Sequence, residues 1–86
     1  MVNTLDDLKV TIYPNPTNGI LKIESCEGFP DNAVLEIIDY YGRIVYTKVS
    51  ESPKYQEIDL SHISNGIYLL RIRNNSKYLF QKVVIE

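Results

Sequence analysis

Few side chains in this sequence have the types and spacing that catalysis demands. The chain holds one histidine, His62, and one cysteine, Cys26. A nucleophile or general base acts only when partners position it. His62 stands beside Ser61 in a turn, and neighbours in sequence do not form a catalytic pair. A lone cysteine excludes an intramolecular disulfide, and one Cys with one His cannot hold a metal. Cys26 reads as a small, semi-buried side chain between a strand and the loop Glu27-Gly28-Phe29-Pro30. Asp6-Asp7 and the loop around Glu51 lack the regularly spaced oxygen ligands of a calcium loop. The sequence therefore predicts a non-enzyme with no catalytic residue, no metal and no cofactor.

Seven tyrosines offer one further chemistry, a carbohydrate platform, and Tyr40, Tyr41 and Tyr46 lie close together. Tyrosine is equally a strand residue with a polar tip, so packing explains it as well. Asn74-Asn75-Ser76 fits a glycosylation sequon, although a hairpin turn accounts for asparagine there too. Asn15-Pro16-Thr17 is ruled out as a sequon by its proline.

The elements that must position these residues belong to one small unit. A split of 86 residues would leave each half too small to bury a core. Nine Lys and Arg stand against eleven Asp and Glu, and the cations are scattered singly, which argues against a nucleic-acid partner. No window has the apolar length to cross a bilayer, so membrane insertion is not expected. Residues 1–8 read as a polar lead-in or tether, and residues 9–86 as the folded domain.

Apolar residues recur with period two in about seven short runs bounded by Gly, Pro, Asn or Asp. The runs are approximately Lys9 to Tyr13, Gly19 to Ser25, Ala33 to Tyr40, Arg43 to Val49, Tyr55 to Leu60, Gly66 to Arg73 and Tyr78 to Ile85. Val10 and Ile12 share a face, as do Leu21 and Ile23, Leu35 and Ile37, Val45, Thr47 and Val49, and Tyr68, Leu70 and Ile72. These are the predicted core. The opposite faces carry Lys22 and Glu24, Glu36, Tyr46 and Lys48, and Arg71 and Arg73, and read as solvated. An all-β fold follows, an antiparallel immunoglobulin-like β-sandwich of about seven strands.

Glycines in Tyr41-Gly42 and Asn65-Gly66 sit where turns commonly need positive φ. Asp59 to Ser64 suits a single 3₁₀ turn capped by Asp59 or Ser61, with Leu60 and Ile63 plugging the end of the sandwich. Pro14 and Pro16 fix φ and remove two donors, which ends the first strand.

Three motifs in this order resemble the type A C-terminal sorting domain of the type IX (Por) secretion system of Bacteroidetes. The first is Val10-Thr11-Ile12-Tyr13-Pro14-Asn15-Pro16-Thr17-Asn18-Gly19, followed by the strand Ile20-Leu21-Lys22-Ile23. The second is Leu35 to Val45, a strand, a Gly42-Arg43 turn and a returning strand. The third is Ile58 to Ile72, a short turn followed by Gly66, Ile67 and Tyr68. Gln81 to Glu86 is similar to the family's closing strand, although the family often ends in a basic residue where this chain has Glu86.

The resemblance implies a C-terminal secretion signal that carries a larger cargo protein through the type IX outer-membrane translocon. Its partners would be the translocon, outer-membrane shuttle proteins and a sortase-like peptidase that cleaves before Lys9 or further upstream. The cargo would pass through the periplasm and outer membrane to be secreted or attached at the cell surface. Recognition residues on this reading are Pro14, Asn15, Pro16, Gly42, Arg43, Gly66, Tyr68 and Lys82. Exposed edge strands leave a homodimer open. The alternatives are a Fibronectin-like or immunoglobulin-like accessory module that binds carbohydrate or protein, and a structural spacer.

Overall fold

The computed structural model describes residues 10–25, 29, 32–50, 54–74 and 77–86, with only the main chain described for Lys77. Met1 to Lys9, Cys26, the Glu51 loop and Asn75-Ser76 lie outside the described residues, and with them the tether, the cysteine and the sequon considered above. The described residues form seven strands and no helix: β1 (Val10–Tyr13), β2 (Ile20–Ser25), β3 (Val34–Ile38), β4 (Ile44–Val49), β5 (Tyr55–Asp59), β6 (Gly66–Asn74) and β7 (Lys77–Ile85). They pair antiparallel in two sheets, of order β1-β2-β5 and β4-β3-β6-β7, the sandwich that the period-two runs predict.

Alternation puts one face of each strand in the core. Leu21 and Ile23 from β2 pack against Leu35, Ile37, Leu70, Ile72 and Val83 from the larger sheet, and all seven are fully buried. Val10 and Ile12 pack at the margin of this cluster. Each buried Leu or Ile is worth about 1.5–3 kcal/mol relative to exposure. Leu60 is fully buried and the half-buried Ile63 packs on the same cluster, so the two residues close the end of the sandwich as expected. Their segment is a single turn rather than a helical element. The Ile63 amide donates to the Leu60 carbonyl at 3.0 Å, and the Ser61 amide to Asp59 Oδ1 at 2.9 Å.

Two sequence expectations are corrected. Strand β4 presents the opposite face: Val45 and Val49 are 36% and 52% exposed, Thr47 is exposed, and Tyr46 turns inward onto the core. A register shift between Ile37 and Ile38 is the cause. Ile38 opposes Ile44 but Ile37 opposes Tyr46, so one extra residue on β4 inverts the alternation beyond it. Glu36, expected on a solvated face, is only 3% exposed. It lies on an inner strand between β4 and β6, where Arg71 Nε donates to its Oε1 at 2.8 Å and Arg73 Nε at 3.2 Å.

The two sheets are also tied along both sides. Lys48 on β4 donates its Nζ to the Glu57 carbonyl of β5 at 3.1 Å. On the other side, the segment after β1 runs beside β7, where Thr17 forms a parallel bridge with Ile85.

Candidate functional site

The Pro14-Asn15-Pro16-Thr17 segment is built to hold the edge of β7. Both X-Pro bonds, Tyr13-Pro14 and Asn15-Pro16, are cis. Asn15 Nδ2 donates to the Lys82 carbonyl at 3.0 Å, and its Oδ1 accepts the Val84 amide at 3.0 Å. The Thr17 amide donates to the Val84 carbonyl at 2.9 Å, and the Glu86 amide to the Thr17 carbonyl at 2.8 Å. This satisfies backbone groups that an edge strand otherwise offers to other chains. Thr17 is 1% exposed; its hydroxyl donates to the Ile20 carbonyl at 2.6 Å and accepts the Gly19 amide at 3.1 Å.

The β3–β4 turn is organised by Asp39. Its Oδ1 accepts the amides of Tyr41 and Arg43 at 2.9 and 2.8 Å, and its Oδ2 accepts Arg43 Nε at 2.8 Å. Burial by itself would raise the Asp39 pKa, but the Arg43 amide and guanidinium and the Tyr41 amide outweigh it and hold the carboxyl below its usual value. Gly42 takes φ +84, a region that glycine enters without a Cβ penalty. The turn thus presents Tyr40 and Tyr41 at 90% and 79% exposure, edge to face, with the Arg43 guanidinium 5.2 Å from the Tyr41 ring centroid.

The third part is the β5–β6 loop. Tyr68 is buried beneath it and donates its hydroxyl to the Ser64 carbonyl at 2.6 Å. Asp59 is held below its usual pKa by the hydrogen bonds from the Ser61 hydroxyl and amide, which outweigh the opposing effect of burial, and His62 adds a smaller lowering. His62 itself is exposed in this turn.

Turn and loop enclose two adjoining shallow clefts. One, of about 260 Å³, lies between Arg43 and Tyr41 on one side and Gly66 and Tyr68 on the other. The second, of about 270 Å³, has Ile38, Ile67 and Leu69 on its walls and Lys82 at its rim. The folded chain therefore gathers Arg43, Gly66, Tyr68 and Lys82 at one place, and Asn15 binds the main chain of Lys82. Gly42 shapes the turn that carries Arg43, and Pro14 and Pro16 flank Asn15. Thr17, Asp39 and Ser64 were missed by sequence reasoning. An Asp four residues before an Arg, across a Gly turn, was the available signal for Asp39, and a Thr two residues before a Gly that for the turn made by the Thr17 hydroxyl; Ser64 acts through its main-chain carbonyl, which no residue type announces.

Among the described residues, no three His, Cys, Asp or Glu side chains gather as a metal site. The arrangement is a sandwich that displays aromatic rings and cations from its turns at one end. Residues 11–86 match the family described as the secretion system C-terminal sorting domain, and the chain belongs to that family. It is a C-terminal secretion signal for type IX secretion. The family is one of sorting signals rather than enzymes, and it marks a protein exported from the cell or to its surface through the type IX machinery. No curated protein matches the sequence.

Proposed function

We propose that the type IX machinery reads this domain at the end of the sandwich where the β3–β4 turn, the start of β6 and the middle of β7 meet. The observation that carries the proposal is the display of Arg43. Its Nε is fixed by Asp39, yet its side chain is 71% exposed beside a tyrosine pair. Folding alone needs no such exposed cation–aromatic cluster, whereas aromatic and Arg side chains dominate protein recognition. Arg43 and Lys82 are the direct contacts on this reading. Gly42, Gly66 and Tyr68 set the shape between them, and Pro14, Asn15 and Pro16 hold β7 in place. The translocon and an outer-membrane shuttle protein are the readers. A sortase-like peptidase then cleaves the chain ahead of Lys9, leaving the cargo secreted or attached at the surface.

The test fuses the 86-residue chain to the end of a signal-peptide-bearing fluorescent protein, in a Bacteroidetes host with and without a working translocon. Translocon-dependent fluorescence outside the cell is expected from the parent chain, with a marked loss for the double variant Arg43→Glu/Lys82→Glu. Undiminished export of a folded double variant would reject this end as the contact.

A further inference from the structure

The two outward faces of the sandwich differ sharply. On the smaller sheet, paired rows bring Thr11, Tyr13, Ile20, Lys22, Glu24, Tyr55, Glu57 and Asp59 outward, a mainly polar and acidic surface. On the larger sheet, the rows read Ile67, Val84; then Ile44, Ile38, Leu69, Lys82; then Thr47, Glu36, Arg71, Phe80; then Val49, Val34, Arg73, Tyr78. Among the described residues, large exposed apolar and aromatic side chains concentrate on this second side. Ile44, Val45, Val49, Ile67, Leu69, Tyr78 and Phe80 belong to its strands, and only Ile20 and Tyr55 to the smaller sheet.

Side-chain contacts cross the larger face. Tyr78 and Phe80 stack with ring centroids 6.2 Å apart, and the Arg71 guanidinium sits 5.5 Å from the Tyr78 ring centroid. Glu36 anchors both Arg71 and Arg73 from below. Among the described side chains of these rows, three cations, Arg71, Arg73 and Lys82, stand against one carboxylate, Glu36, so the face is electropositive.

Size and charge together select the occupant. Four strands spaced ~4.8 Å apart, with three outward residues on β3 and β4 and four on β6 and β7, make a face of about 460 Å². Two copies apposed through it would bury about 900 Å² in total, below the ~1,200 Å² of a stable dimer interface but within the range of a transient contact with a passing partner. They would also set Arg71, Arg73 and Lys82 into one small contact with their own copies. We infer that the outer face of the larger sheet docks a different protein, a component of the type IX machinery whose apolar surface carries carboxylates opposite Arg71, Arg73 and Lys82. This rests on the sorting function and adds to it a second surface, continuous with the turn end through Lys82 and Leu69.

The export fusion tests it with Leu69→Glu, Phe80→Glu, Leu69→Lys and Phe80→Lys, and with Ile20→Glu as a control on the opposite face. Leu69, Phe80 and Ile20 are 42%, 54% and 39% exposed, so all five variants should fold, as melting of the purified domains checks. Expected are a loss of export of about tenfold or more for the Glu variants, as for a contact worth ~1.4 kcal/mol, a smaller loss for the Lys variants, and none for Ile20→Glu. Export of both Glu variants at the parent level overturns the docking face. Equal loss with Glu and Lys overturns the acidic partner. A parent domain that light scattering shows to be a dimer, and that Phe80→Glu makes monomeric, would assign the face to a second copy and overturn the inference. If the parent fusion itself fails to leave the cell, the sorting function falls, an outcome distinct from failure of the face variants alone.

Discussion

The side-chain oxygen of Asn15 accepts the main-chain amide of Val84 at 3.0 Å, across 69 positions of sequence. With the bond from its Nδ2 to the Lys82 carbonyl, it gives β7 the donor and acceptor that a further strand would supply.

Asn15→Asp keeps the acceptor for Val84 but replaces the donor to Lys82 with a carboxylate oxygen facing a carbonyl. A loss of about 1–2 kcal/mol is expected at neutral pH, or a fall in Tm of about 4–8 °C per kcal/mol for a domain this small. Thermal melting checks it, and recovery near pH 3, where the acid can donate again, distinguishes this cause from loss of shape.

Thr17→Val preserves volume and removes the buried hydroxyl that serves Ile20 and Gly19. Leaving that carbonyl and amide without their partner should cost about 1–3 kcal/mol. Thr17→Ser, which retains the hydroxyl, should lose less, as urea midpoints would show.

Gly42→Val tests backbone conformation alone, because a Cβ at Gly42 would meet nothing within 4 Å while φ stays at +84. The expected cost is about 1–2 kcal/mol. Gly42→Asn should recover much of it, since asparagine tolerates positive φ. Equal melting temperatures for glycine and valine would contradict this geometry.

Glu36 predicts a pH dependence. Burial pushes its pKa up, but the hydrogen bonds and charges of Arg71 and then Arg73 prevail and hold it below the ordinary value. A depressed folded pKa adds stability that is fully present above the unfolded value of about 4.3 and is lost as pH falls through the folded value. Urea unfolding at a series of pH values should therefore show Glu36→Gln less stable than the parent at neutral pH. The gap should narrow in acid.

Strand positions and most core residues were legible because alternation is local: Leu21, Ile23, Leu35, Ile37, Leu70 and Ile72 announce their face by spacing alone. The sorting-domain motifs were legible for the same reason, since Pro14-Asn15-Pro16 and Gly42-Arg43 are contiguous turn chemistry. The face of β4 was not legible. A bulge between strands is a property of the pairing, and nothing in Ile44 to Val49 marks the residue that slips.

Sequence by itself thus determined the class of fold, the turns and the family, all carried by short-range patterns of period, φ preference and missing donors. Tertiary structure alone decided that Glu36 is a buried anchor for Arg71 and Arg73, and that Asn15 and Thr17 hold the far edge at β7. It also gathered Arg43, Tyr68 and Lys82 at one end of the molecule. These relations join residues 14 to 69 positions apart, and only the pairing of distant strands and the packing of the two sheets bring such groups within hydrogen-bonding reach or onto one surface.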